Sequence, residues 1–284
     1  MQPVCIVTDS SSQFTKPIFP GREHVRILPF DIALGGEIFH EGVGAKPNCL
    51  PATASDKQHP RLVIPSRDNL QALLQSYLQS YDQVIIVTLS AGLCSLHQDL
   101  QDATVASKSQ SRIHLIDSLT TAAGLGHLVQ KAAAWLQQGM GTAEVERNIR
   151  SQISHIYSLY CPQALSYLYH SGFLDRGQAA VGEMLNLFPI FTLEEGRLVT
   201  VEKQRNLRGT IEFFQEFLDE FEQIEHIALV QSCPPSNIES RILKQHIEEF
   251  FIDSGYSEHS INLPVAALLG PRTLSLTVAE KMDS

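Results

Sequence analysis

Short runs of apolar and β-branched residues punctuate the first half of the chain: VCIVT at 4–8, VRIL at 25–28, VIIVTL at 84–89 and IHLID at 113–117. These runs are apolar nearly throughout rather than alternating. That marks strands covered on both faces, as in a parallel sheet sandwiched by helices. Between the runs the period changes. Leu70, Leu73, Leu74, Tyr77 and Leu78 recur at helical spacing ahead of the third run, and Ala132–Leu136 belong to another such stripe. The pattern predicts an α/β domain, a mostly parallel sheet with helices on both faces.

Around residue 160 the pattern shifts. FPIFTL (188–193) and RLVTVEKQ (197–204) flank Gly196 and read as a hairpin, followed by a helix carrying Ile211, Phe214, Phe217, Leu218 and Phe221. HIALVQ (226–231) is a further strand. Ser236 and Glu239 have the spacing of a capping box ahead of Ile242, Leu243 and Ile247. Hairpin plus helices predicts a second, mixed α+β domain. The expected division is 1–160 and 161–284, with residues 44–64, rich in Pro, Ala, Ser and Lys, as an irregular excursion over the surface.

Composition narrows the class. A chain of 284 residues, 43% hydrophobic and 18% charged, builds a packed core and suits two ordinary domains. The net charge of −10 argues against nucleic acid as a partner, since displacing phosphate counterions takes clustered Lys and Arg. No apolar run reaches the roughly 18 residues of a membrane span, and the N-terminus lacks a signal-peptide pattern. A cytoplasmic protein with no stable membrane insertion is expected. Its cysteines, 5, 49, 94, 161 and 233, form no C-x-x-C pair and are read as reduced thiols.

Catalytic signatures are scarce. GLGHLV at 124–129 holds a G-x-G, but it does not follow its strand directly and the third glycine is missing, so close helix packing is the preferred reading. No G-x-S-x-G elbow, phosphate-binding loop or H-E-x-x-H spacing occurs, and neither a metal nor a cofactor is expected. Cys94 and His97 are three apart and would meet on a helix, which keeps a thiol enzyme as an alternative. More telling are polar residues ending three strands: Thr8-Asp9-Ser10, then Thr88 and Ser90, then Asp117-Ser118. The carboxyl edge of a doubly wound sheet is where ligands bind, and it is also where Ser and Asp cap helices. The expected role of the stretch DSSS is to cap a following helix, with Asp9 orienting Ser10 or nearby amides.

In order along the chain, TDSSS, YDQVIIVTLSAGLCS (81–95), IHLIDS with GLGHLV behind it, and LFPIFTLEEGRLVTVEKQRNLRGTIEFF (187–214) resemble the DegV family of bacterial fatty-acid-binding proteins. That family includes the substrate-carrying subunits of fatty-acid kinase. The resemblance runs from residue 4 to about residue 278. It implies two α/β domains with an apolar tunnel between them, holding one fatty acid with its carboxylate near polar side chains. Burying an acyl chain gives roughly 0.8 kcal/mol per CH₂, while the carboxylate must be paired or hydrogen-bonded.

The chain departs from the family pattern at the polar end. Where relatives carry Pro-Thr-Thr-Ser-x-Pro-Ser, it reads Pro60, Arg61, Leu62, Val63, Ile64, Pro65, Ser66. The serine pair after the third strand becomes Ser90 and Ala91, and a third serine becomes Cys94. A glycine-rich Arg-Lys-Gly-Gly-Arg loop is replaced by Tyr169-His170-Ser171-Gly172-Phe173, and His-Thr-Gly-Pro-Gly by Leu268-Leu269-Gly270-Pro271-Arg272. Ser10, Ser66 and Ser90 are the matched positions expected at the ligand. Arg61 and Arg272 are candidate replacements, since a guanidinium suits a carboxylate. The expectation is a non-enzymatic carrier of a long-chain fatty acid or other apolar small molecule, with a fatty-acid kinase as partner. The alternative is a carrier or sensor for a neutral ligand.

Overall fold

The fully apolar runs form strands because both faces are covered, and the computed structural model shows how. It describes residues 4–41, 45–105 and 110–282. In the first half, β1 (Val4–Asp9), β2 (Val25–Leu28), β6 (Gln83–Thr88) and β7 (Ile113–Asp117) make a four-stranded sheet in the order β2-β1-β6-β7. All its pairings are parallel. Every residue of β1 and β6 beyond the first is buried. Helices α1 (Arg67–Ser80), α2 (Leu96–Val105), α3 (Ala122–Gln137) and α4 (Thr142–Ile153) pack against these strands.

The hairpin predicted around Gly196 is present as β9 (Phe188–Glu194) and β10 (Arg197–Gln204). With β8 (Ile156–Cys161), β11 (Ile224–Gln231), β12 (Gly255–Ser260) and β13 (Leu274–Glu280) it forms a six-stranded sheet, order β10-β9-β8-β13-β11-β12. The sheet is mixed: β11 runs parallel to β12, while β8, β9, β11 and β13 pair antiparallel. Its core gathers Leu159, Ile190, Phe214, Leu218, Ile227, Leu229, Leu243 and Leu276. Ile211, Phe214 and Leu218 reach it from α7 (Leu207–Asp219), whose first turn is capped by Asn206 Oδ1 accepting from Gly209 N at 2.9 Å. The remaining helices are α5 (Leu165–His170), α6 (Arg176–Met184), α8 (Asn237–Phe250) and α9 (Leu263–Leu269).

Packing divides the chain into two units, and differently from a single cut at 160/161. The first comprises Met1–Phe30, Val63–Ser154 and Glu195–Arg197, and the second Asp31–Leu62, His155–Glu194 and Leu198–Ser284. Residues 31–62 join the second unit through long-range contacts that no periodicity reveals. Tyr167 donates its hydroxyl to the Pro51 carbonyl at 2.6 Å, and Ala54 N donates to Ser166 Oγ at 3.1 Å. Ala54, Ala164 and Tyr167 form a small apolar cluster there. The excursion expected over 44–64 is therefore tied down; it contains a short 3-10 turn at Pro47–Cys49 and the whole of β5 (Arg61–Val63), which joins β3 (Asp31–Leu34) and β4 (Glu37–Phe39) in a three-stranded sheet. Residue 44 lies outside the described residues.

Two capping expectations fail. No α-helix follows β1 before β2, so DSSS caps none; the chain turns there and reaches only a short 3-10 segment at Arg22–His24. Ser236 stands at the N-cap of α8, but its side chain accepts no capping hydrogen bond. Its carbonyl instead takes both the amide and the hydroxyl of Ser240, at 3.0 and 2.7 Å.

Candidate functional site

At the carboxyl edge of the parallel sheet the polar residues hold the main chain. Asp9 is buried, its Oδ2 accepting from Leu89 N at 2.7 Å and Oδ1 from Ser11 N at 3.0 Å. One carboxylate thus ties the loop after β1 to the loop after β6. Burial pushes its carboxyl above the usual range, and the hydroxyl of Ser11 together with the amides of Leu89, Ser11 and Asp9 itself pull it partly back. Asp117 does the same at the next loop, accepting from Ala91 N and Leu119 N at 3.2 and 3.0 Å. Ser10 Oγ accepts from Phe30 N at 3.0 Å. Ser90 is buried; its hydroxyl donates to Gly196 O at 2.6 Å and accepts from Gly92 N at 3.1 Å. The amino edge of the same sheet carries a cavity of about 730 Å³ lined by His24, Gln83, His114, Met140 and Thr142. None of the strand-end carboxylates lines it.

Ser66 is exposed and caps α1, its Oγ accepting from Asn69 N at 3.4 Å. Of the three matched serines, Ser10 and Ser90 stand at the strand-end loops and Ser66 at a helix start. Cys94 and His97 do not form a hydrogen-bonded pair among the described residues: His97 Nδ1 lies 3.1 Å from Thr88 Oγ1. Burial pushes the Cys94 thiol up to about 11 and holds the His97 imidazole below its usual range. Such a thiol supplies almost no thiolate at neutral pH.

In the second unit an apolar cavity of about 370 Å³ lies among Leu165, Leu174, Val181, Leu187, Pro189 and Phe191, with Lys203 also at its wall. Leu165 and Leu174 come from α5 and the turn after it. Val181 belongs to α6, where Asp175 and Gln178 close a reciprocal capping box.

The segments that depart from the family pattern at 61, 169–173 and 268–272 lie together in this unit. His59, just ahead of Arg61, stacks on His170 with ring centroids 5.0 Å apart. Ser171 Oγ donates to Leu268 O at 3.0 Å, and the Gly270 backbone lies against the Tyr167 ring. Arg61 and Arg272 are exposed. Neither histidine stands out in the sequence. They are far apart along the chain, and none of the metal spacings that make histidines legible includes them.

A parallel sheet with a strand-end polar edge, joined in one chain to a mixed six-stranded unit holding an apolar cavity, defines a two-unit α/β architecture. The model of the family described as "Uncharacterised protein, DegV family" matches residues 3–281, and the chain belongs to the DegV family. A DegV domain-containing protein, TTE1491, of Caldanaerobacter subterraneus subsp. tengcongensis is 27% identical over 220 residues, covering 77% of each chain. The crystal structure of the fatty acid binding DegV family protein SAG1342 from Streptococcus agalactiae aligns with a TM-score of 0.86 at 23% identity, covering 99% of this chain and 100% of that one. The Streptococcus pneumoniae Fatty Acid Kinase (Fak) B3 protein, loaded with linoleic acid, aligns with a TM-score of 0.83 at 18% identity, again over 99% and 100%. These likenesses establish the fold. No helix among the described residues is long and apolar enough to cross a membrane.

Proposed function

We propose that the protein binds a long-chain fatty acid or a similar acyl ligand, and carries it rather than transforming it. The observation that carries the reading is the apolar cavity of the second unit, about 370 Å³ with six apolar side chains at its wall. Each methylene removed from water there contributes roughly 0.8 kcal/mol, so a long chain gains affinity from its tail alone. Membership of the DegV family, a structural neighbour named as fatty acid binding and another loaded with linoleic acid support the same ligand class. A kinase that phosphorylates the bound acid is the proposed partner, and the cytoplasm the proposed location. Catalysis by Cys94 is disfavoured because burial pushes its thiol up to about 11 and His97 turns its Nδ1 to Thr88 instead.

The test is extraction of the natively purified protein followed by mass spectrometry, then titration of the delipidated protein with palmitate. A fatty acid in stoichiometric amount and saturable rebinding are expected. Absence of both overturns the reading. A second reading, a neutral apolar ligand, is favoured by Leu62 and Leu268, which stand where relatives carry a threonine and a histidine. Hexadecanol binding more tightly than palmitate would select it.

A further inference from the structure

The altered segments of the second unit meet around an imidazole with an unanswered polar atom. His59 is half-buried, and its Nδ1 is buried with no hydrogen-bond partner among the described residues. An imidazole nitrogen without a partner is a site that a ligand's polar group can satisfy. The His170 ring covers one face, stacked at 29° from parallel, and Tyr169 packs in turn on His170 at 4.8 Å. The same six-residue helix that ends in His170 begins with Leu165, which lines the apolar cavity. The polar corner and the cavity wall are thus one short helix apart, about 7.5 Å at the helical rise.

Resting on the acyl-binding reading above, we propose that His59 and Arg61 form the polar end of the site. The ligand is a carboxylate that takes a charge-assisted hydrogen bond from His59 Nδ1 and its counter-charge from the guanidinium. The charge balance is simple. The acid arrives ionised, one proton moves from solvent onto the imidazole, and no covalent bond to carbon changes.

The surroundings fit this role. Burial first, then the charges of His170 and Arg61, hold the free imidazole down at about 4 despite an opposing hydrogen bond to the His170 backbone, so it is neutral before the ligand arrives. The titratable and charged groups around it are Arg61 on β5, Tyr169 and His170 on α5, and Asp56 on the preceding loop. Asp56 Oδ1 stands 3.9 Å from His170 Nδ1 and is 95% exposed, so water screens it. A carboxylate delivered to Nδ1 would be the close anion this corner lacks, and it raises the affinity of the ring for a proton. Binding of the acid therefore tightens as pH falls, whereas binding of an uncharged headgroup does not.

The experiment compares palmitate with hexadecanol on delipidated protein, by calorimetry in two buffers of different ionisation enthalpy. For the unaltered protein we expect proton uptake with palmitate only, and palmitate affinity rising about tenfold from pH 8 to pH 6. His59→Gln should abolish both effects and weaken palmitate at least about tenfold, leaving hexadecanol unchanged. Arg61→Ala, at an exposed position where folding is not in question, should weaken palmitate alone. If palmitate binds but its affinity and pH dependence survive His59→Gln, this inference falls and the acyl-binding reading stands. If neither probe binds, both fall.

Discussion

Two polar regions of the molecule are built on opposite terms. At the carboxyl edge of the parallel sheet, Asp9 answers Leu89 and Ser11, Asp117 answers Ala91 and Leu119, and Ser90 answers Gly196. At the His59–His170 corner of the second unit, Nδ1 of His59 has no partner among the described residues and Arg61 is exposed. Polar groups that are satisfied internally hold a fold together and have little left to offer a guest. A group left unsatisfied costs stability until something completes it. The contrast separates residues whose polar atoms shape the backbone from a residue that keeps one polar atom unanswered by the fold.

The sharpest way to break this contrast is Asp9→Ala, which strands two amides in the interior. It should cost about 3 kcal/mol, read from the urea midpoint of the whole protein, and a loss under about 1 kcal/mol would contradict a scaffolding role. Ser90→Ala comes next, at about 1.5 kcal/mol, since it deprives the Gly196 carbonyl of its donor. If acyl affinity then drops by more than the stability does, Ser90 belongs with the ligand instead. The His59 effect is read as a slope. The folded imidazole is depressed to about 4 from 6.5, so the unfolded chain binds more protons between those values and stability falls as the medium is acidified through that window. His59→Gln should show a shallower acid loss there. The smallest effects belong to exposed positions: Ser66→Ala should cost about 0.5 kcal/mol through the lost cap, measured by the same denaturation. Arg61→Ala and Arg272→Ala should each stay within about 0.5 kcal/mol.

The parts of the fold that were legible in the sequence are those with local periodicity. VCIVT and VIIVTL announce buried parallel strands because each is apolar enough to be covered twice, and the FPIFTL–RLVTVEKQ pair announces a hairpin through Gly196. Long-range pairing was not legible. Nothing local says that Pro51 and Ala54 bond to α5, so no local pattern places residues 31–62 with the second unit. DSSS reads as a cap because Ser and Asp dominate caps, yet here Asp9 reaches across to Leu89. The proposed polar corner is only half visible in the sequence. Arg61 can be picked out by comparison with the family pattern, but its neighbours His59 and His170 are brought together by tertiary packing.

Gly126, the second glycine of the G-x-G stretch, has a consequence for anyone who reads importance from tolerance. A Cβ at that position would stand 1.9 Å from the Gln13 carbonyl oxygen, and that carbonyl belongs to main chain that cannot step aside. In a saturation library selected only for folded protein, position 126 should already be depleted of every other residue. Adding selection for ligand uptake should leave its profile unchanged, while profiles at positions 59 and 61 should narrow. Intolerance at a glycine-rich motif is then a record of crowding, and only the difference between the two selections speaks about the guest.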